Sequence, residues 1–212
     1  MPRRIVVIGG GPIGIAAAIS AIDRGFDVTL LEKEKVGTSL RSWGSTRFFS
    51  PLSMNVSPGM LNLLGGDAPP LDALLTGSEM AAQVLEPLAS REPLRGRIRT
   101  NTRVVAIGRR GLTRCDYAGH PLRAERPFRL VVENGSGEEA IEADFVLDAT
   151  GGYVVPNPIG TGGLPAQARS APRGRGCSSS SRRPRTSRKK ATVGSALSVR
   201  VPTHASLMIR MG

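Results

Sequence analysis

Three glycines and one glutamate near the start of the chain have the types and spacing to hold a dinucleotide. Gly9, Gly11 and Gly14 stand as GxGxxG in "VVIGGGPIGIAAA", and Glu32 closes the later "DVTLLE". In this spacing the first glycine permits a tight turn and the second lets a pyrophosphate approach the backbone. The third lets the following helix pack close to its strand. That helix then points unpaired amides and a partial positive charge at the phosphates. Glu32 lies 18 residues beyond Gly14, close to the offset of about 20 at which an acid accepts ribose hydroxyl hydrogens. A carboxylate there repels a 2′-phosphate, so FAD or NAD suits this first site better than NADP.

The elements around these residues are legible. Residues 5–8 form a continuous β-branched run, as a strand buried on both faces requires. Pro12 suits the first turn of a helix, where an amide hydrogen lacks an intrahelical partner anyway. Ala16, Ala17 and Ala18 keep that helix thin enough to lie on a sheet, and Gly25 supplies its C-terminal stop. Residues 28–31 make the second strand, with Glu32 at its end. Strand, glycines, helix, strand and terminal acid within one short unit are a far more specific signal than the glycines alone.

The middle of the chain bears on which dinucleotide is held. An NAD-dependent dehydrogenase continues with alternating strands and helices, whereas "RGRIRTNTRVVAIGRR" and "PFRLVVENGSGEEAIEADFVLDATGG" read as successive strands. Residues 103–107 and 128–133 alternate partly, 134–137 make a turn, and 140–143 return. A small antiparallel meander inserted into a parallel sheet is expected. It runs into another buried strand at 145–147, followed by Asp148, Ala149, Thr150, Gly151 and Gly152. Residues 78–89 are expected to form a helix capped by Ser78, with Met80, Val84 and Leu88 on one face for core packing.

Taken together, "VVIGGGPIGIAAA", Glu32, a meander and "DFVLDATGG" resemble the FAD-binding domain of the two-dinucleotide-binding-domain flavoproteins. Flavin-containing monooxygenases and pyridine nucleotide-disulfide reductases belong to that superfamily. The resemblance covers residues 4–166. It implies an α/β, Rossmann-like parallel sheet with helices on both faces and an inserted antiparallel meander. It also implies FAD as cofactor, with Thr150 and Gly151 closing against it. "SLRSWGSTRFFSPLSMNVSP" resembles the stretch after the second strand of monooxygenase-like members, with Arg41, Trp43 and Gly44 matching and Thr38 standing where a second glycine is usual. Trp43 then flanks the flavin or serves as a core residue, and Asn55 contacts the flavin or braces a turn. The cofactor-binding set implied is Gly9, Gly11, Pro12, Gly14, Glu32, Lys33, Arg41, Trp43, Val105, Thr150 and Gly151.

The implied activity is an FAD-dependent, monooxygenase-like oxidoreductase with NADPH as electron donor in the full-length relative. An NAD-dependent dehydrogenase and a non-enzymatic dinucleotide-binding remnant are the alternatives. The flavin carries the chemistry, and the substrate is not written in the sequence. No catalytic triad or metal-ligand cluster stands out, since His120 and His204 are isolated. Cys115 has no neighbouring Cys or His, which argues against the disulfide-reductase branch. Two cysteines make no disulfide framework, so a reducing cytoplasm is the expected compartment. No stretch approaches the roughly 20 apolar residues that cross a bilayer.

The formal charge of +12 normally suggests an anionic partner, but its distribution argues otherwise. Of the 29 Lys and Arg, eleven lie from Ala168 onward, where there is no acid; the remaining 18 face all 17 acids. The basic end, including "RGCSSSSRRPRTSRKK", lacks aromatic rings and a hydrophobic period. It is expected to be a disordered or non-native tail over 167–212, read as the product of a frame change near residue 167, with a nonspecific nucleic-acid arm and a targeting or linker segment as alternatives; no specific nucleic acid is expected to bind it. With the second nucleotide-binding unit missing after Ala166, turnover by the chain is doubtful on this expectation.

Overall fold

The structure, a computed structural model, describes residues 1–152 of the 212. In chain order β1 (Arg4–Ile8), α1 (Pro12–Asp23) and β2 (Asp27–Leu31) form the first unit. Then come α2 (Thr38–Arg41), α3 (Pro58–Leu64) and a longer helix built from α4 (Gly77–Met80), a π-turn (Ala81–Leu85) and α5 (Glu86–Ser90). β3 (Ile98–Arg99), β4 (Arg103–Arg109), α6 (Leu122–Glu125), β5 (Phe128–Asn134), β6 (Gly137–Ala143) and β7 (Phe145–Asp148) complete the described part.

Four strands make a parallel sheet in the order β3-β2-β1-β7, with Ile5 opposite Val28 on one side and Phe145 on the other. β4, β5 and β6 make the separate antiparallel meander. The expectation of a parallel sheet with an inserted meander therefore holds.

All of Ile5–Ile8 is buried because β1 has a different layer on each face. Ile5 and Val7 pack with Ile15, Ala18 and Ile19 of α1 and with Met60, Val84 and Leu88 beyond it. Val6, Ile8 and Leu31 pack instead with Leu130, Val132 and Ala143 of the meander. Among the described residues, the second face of the sheet thus carries the meander, where helices on both faces were expected. Three small strands shield Val6 and Ile8 from water as a helix does, and they anchor the meander to the sheet.

The helix at 77–90 begins differently from expectation. Thr76, not Ser78, is its N-cap: Thr76 Oγ1 accepts the Glu79 amide at 3.2 Å, and Glu79 Oε2 accepts the Thr76 amide at 2.7 Å. This reciprocal capping box satisfies two amides that the helix itself leaves open. The expected face is correct, with Met80, Val84 and Leu88 all buried. Gly25 ends α1 as expected, adopting φ +80 and donating its amide to Ile22 at 2.8 Å. The expected tail over 167–212, and the boundary at 166, lie outside the described residues.

Candidate dinucleotide-binding site

The glycine turn lies at the C-terminal ends of β1, β2 and β7, where a parallel sheet leaves room for a ligand. The Gly9 amide continues the sheet by donating to Leu31 O at 2.8 Å, after which the chain reverses with Gly9 at φ +106. A side chain on Gly9 would stand 2.6 Å from Ala149 O, because the end of β7 lies directly against the turn. A side chain on Gly14 would stand 1.8 Å from Gly9 O. Gly14 is therefore the close-packing glycine, and its neighbour is the turn that precedes its own helix.

Gly11 is different. Its backbone is extended (φ −83, ψ −178), which any residue adopts, and a side chain there would meet nothing within 4 Å. The fold gives no reason for glycine at this position, whereas a pyrophosphate approaching the backbone does. Gly11 is also the N-cap of α1. No side chain caps this helix end, Pro12 occupies its first turn, and no acid lies there. The amides and partial positive charge of a 12-residue helix thus remain available to an anion.

Glu32 reaches the same turn from β2. Its Oε2 accepts the Gly10 amide at 2.6 Å, and its Oε1 accepts the Glu34 amide at 3.0 Å. Each carboxylate oxygen keeps acceptor capacity for a ribose hydroxyl. The backbone on either side is fixed too, since Glu32 N donates to Arg99 O and Thr102 N donates to Glu32 O, both at 2.9 Å. The turn itself is tied to the loop before α2 by Gly37 N, which donates to Gly10 O at 3.1 Å. On the far side, Ala149 N donates to Ile8 O at 2.8 Å, and Asp148 Oδ1 accepts both the amide and the hydroxyl of Thr150 at 3.0 and 2.7 Å. An open space over Gly11, a bare helix end and a fixed carboxylate fit a dinucleotide.

The structure gathers Gly9, Gly11, Pro12, Gly14, Glu32 and Thr150 at one place; Gly151 and Lys33 adjoin it, and Arg41, Trp43 and Val105 are not brought to the turn by any contact. Gly151 follows Thr150 in a left-handed turn at φ +71. Lys33 is exposed and pairs with Glu34 at 3.8 Å. Arg41 is engaged by Glu86 of α5. Trp43 packs onto the main core, its ring 5.0 Å from that of Phe48, so its core role is visible. Asn55 braces a turn by donating to Ser50 O at 3.1 Å and Pro51 O at 2.8 Å. Val105 stands at a bulge between Val104 and Ala106, with no partner on β5, and the residue is 51% exposed.

Sequence reasoning noted Gly37 only as the glycine before Thr38, and gave no role to Gly10 or Asp148. Gly10 is buried, and a side chain on it would press within 3.2 Å of Glu32. Gly37, at φ +73, leaves only 2.8 Å between a would-be side chain and Ala81 of the π-turn. An unbroken Gly-Gly-Gly hinted at Gly10; the contact of Gly37 with Ala81 is remote in sequence, and that of Asp148 with Thr150 is local but not disclosed by residue type. Neither Cys115, which is a free exposed thiol, nor His120, whose Nδ1 accepts the Leu122 amide at 3.2 Å, lies in the site. Among the described residues no cluster could hold a metal ion, and no helix is long and apolar enough to cross a membrane.

Comparison with known proteins agrees with this fold. A bacillithiol disulfide reductase of Bacillus cereus superposes with a TM-score of 0.55 at 21% identity, over 76% of this chain and 43% of that one. OTEMO in complex with FAD and NADP superposes with a TM-score of 0.50 at 24% identity, over 70% of this chain and 25% of that one. These likenesses speak to the fold. In sequence, an uncharacterized protein of Methanocaldococcus jannaschii is 30% identical over 84 residues, 40% of this chain. The tRNA 5-methylaminomethyl-2-thiouridine biosynthesis bifunctional protein of Thiobacillus denitrificans is 45% identical over 51 residues, 24% of this chain. The matches span only 21% and 8% of those relatives' own lengths. The family model described as pyridine nucleotide-disulphide oxidoreductase matches residues 6–113, from the first strand through the glycine turn and Glu32 into the meander. By that match, the chain belongs to the pyridine nucleotide-disulphide oxidoreductase family.

Proposed function

We propose that residues 1–166 form an FAD-binding domain, and that the whole enzyme to which this domain corresponds is a monooxygenase-like oxidoreductase drawing electrons from NADPH. One observation carries the reading: the Glu32 carboxylate is held by the Gly10 amide at 2.6 Å, beside the bare N-terminus of α1 and the open space over Gly11. Glu32 binds the adenosine ribose, the first-turn amides of α1 take the pyrophosphate, and Gly11 lets it approach. The Ala149–Thr150 segment closes the turn from the other side. A flavin held there would supply the redox chemistry, while Glu32, Gly11 and the first turn of α1 bind and orient it. Among the described residues Cys115 is exposed with no second cysteine beside it, which favours the monooxygenase-like reading over dithiol chemistry. A reducing cytoplasm suits this cysteine usage.

The meander between β3 and β7 favours FAD over NAD, because a dehydrogenase would continue with strand-helix alternation. Titrating the full chain with each dinucleotide tests the choice. FAD is expected to bind at least about tenfold more tightly than NAD, a gap of about 1.4 kcal/mol. Tighter NAD binding would move the protein to the dehydrogenases, and binding of neither would overturn the site. Oxidation of NADPH by the yellow protein separates an enzyme from a binding remnant. Removing residues 168–212 is expected to leave FAD affinity unchanged; loss of the fold on that deletion would refute the domain assignment.

A further inference from the structure

β7 ends in Asp148, whose carboxylate no conventional role in the glycine turn requires. Its Oδ1 accepts two hydrogen bonds from one residue, the Thr150 amide at 3.0 Å and the Thr150 hydroxyl at 2.7 Å. Both donors of Thr150 are thereby taken within the chain. The peptide between them, Ala149–Thr150, is also the one that abuts the glycine turn. A side chain on Gly9 would lie 2.6 Å from Ala149 O and 3.1 Å from Thr150 N. Ala149 is held on its other side by donation to Ile8 O at 2.8 Å. The wall of the turn is therefore fixed at two points, one by the sheet and one by Asp148.

We infer that Asp148 is a positioning residue for the dinucleotide: by holding Thr150 it sets the Ala149–Thr150 peptide against Gly9 and so shapes the pyrophosphate side of the site. This rests on the dinucleotide reading proposed above. It also reassigns Thr150, which serves the site through the placement of its backbone and does not offer its amide or hydroxyl hydrogen to the ligand. The working property of Asp148 is its acceptor oxygen, not its charge. An amide oxygen at the same place accepts the same two donors, and a negative charge beside a pyrophosphate brings no benefit of its own.

Asp148→Ala and Asp148→Asn separate these properties in the full chain. Hydrogen exchange at the Thr150 amide is expected to be slow in the wild type and in D148N and fast in D148A, with no ligand present. FAD is expected to bind D148A about tenfold more weakly, while D148N keeps nearly wild-type affinity, as for loss and retention of a hydrogen bond to a charged group. Adenosine, held by Glu32 on the opposite side of the turn, should bind all three proteins alike by NMR titration. Weakened adenosine binding in D148A would show general loosening of the fold and overturn the inference. So would a D148N as weak as D148A. Equal FAD binding by all three would overturn the positioning role alone, whereas a wild type that binds no FAD would overturn the dinucleotide reading with it. If D148A does not fold, Thr150→Ala decides: it keeps the backbone bond, loses only the hydroxyl donor, and should weaken FAD about threefold, with unchanged affinity overturning the inference.

Discussion

The Gly10 amide hydrogen is directed at Glu32 Oε2 across 2.6 Å, so the chain itself ties the glycine turn to the end of β2. A ribose acceptor that is already fixed loses little conformational freedom on binding. The same contact gives Glu32 a structural duty. Gly10 is buried, and Glu32→Ala leaves its amide without a partner. The substitution is expected to cost about 1 to 3 kcal/mol of stability in urea unfolding, the range for orphaning a buried donor. It is expected to weaken FAD as well. Unchanged stability would show that the contact does not hold the turn.

Gly14→Ala should fail for a different reason. Its new methyl would be placed 1.8 Å from Gly9 O, a backbone atom inside the tightest part of the turn. Neither α1 nor the turn can yield without breaking the sheet bond from Gly9 to Leu31. A loss of about 3 kcal/mol or more is expected, at the upper end for overpacking. Gly66→Ala is the control, because a side chain there meets nothing within 4 Å and no positive φ is required. A Gly14→Ala protein as stable as this control would contradict the packing.

The helix at 77–90 should carry a pH signature. The amide of Thr76, then its hydroxyl, hold the Glu79 carboxyl below its ordinary value, and Arg47 adds a smaller effect in the same direction. A carboxyl lowered on folding stabilises the fold fully above its unfolded pKa, and that contribution is lost as the pH falls through the lowered folded value. Thr76→Ala removes the cap, at a cost of about 1 kcal/mol. Its stability deficit against the wild type is expected to be full near neutral pH and to shrink in acid below the ordinary glutamate range. A deficit that does not change with pH would separate Glu79 from the cap.

How far the sequence revealed this structure depended on the range of the contacts involved. β1, the glycine turn, α1 and Glu32 were legible because each is dictated by neighbours a few residues away: β-branched residues, a proline at the first turn, a glycine after the last. The meander was legible from alternation and turn residues, but its position on the sheet was not. Leu130 and Val132 meet Val6 and Ile8 across more than a hundred residues of chain. The cap was misplaced by two residues although Thr76 and Glu79 have capping-box spacing; the apolar pattern, which begins later, drew the boundary to Ser78. Arg41 and Trp43 matched a family pattern, yet Glu86 and Phe48, which engage them, are set by the folding of α5 and the loop before Ser50. The capture of Thr150 by Asp148 is short in range, but an aspartate at a strand end has many uses and its type alone did not disclose this one.

Gly11 separates the turn's packing from its hold on a dinucleotide. Unlike Gly9 and Gly14, it has open space in front of it and a backbone that any residue tolerates. Gly11→Val should therefore leave the unfolding free energy within about 1 kcal/mol of the wild type, the scale of changing an N-cap residue. Its isopropyl group would occupy the approach of the pyrophosphate. Calorimetric titration with FAD is expected to show binding to the wild type and a loss of at least about a hundredfold, or about 2.7 kcal/mol, in Gly11→Val. Undiminished FAD affinity in a folded Gly11→Val protein would contradict the account.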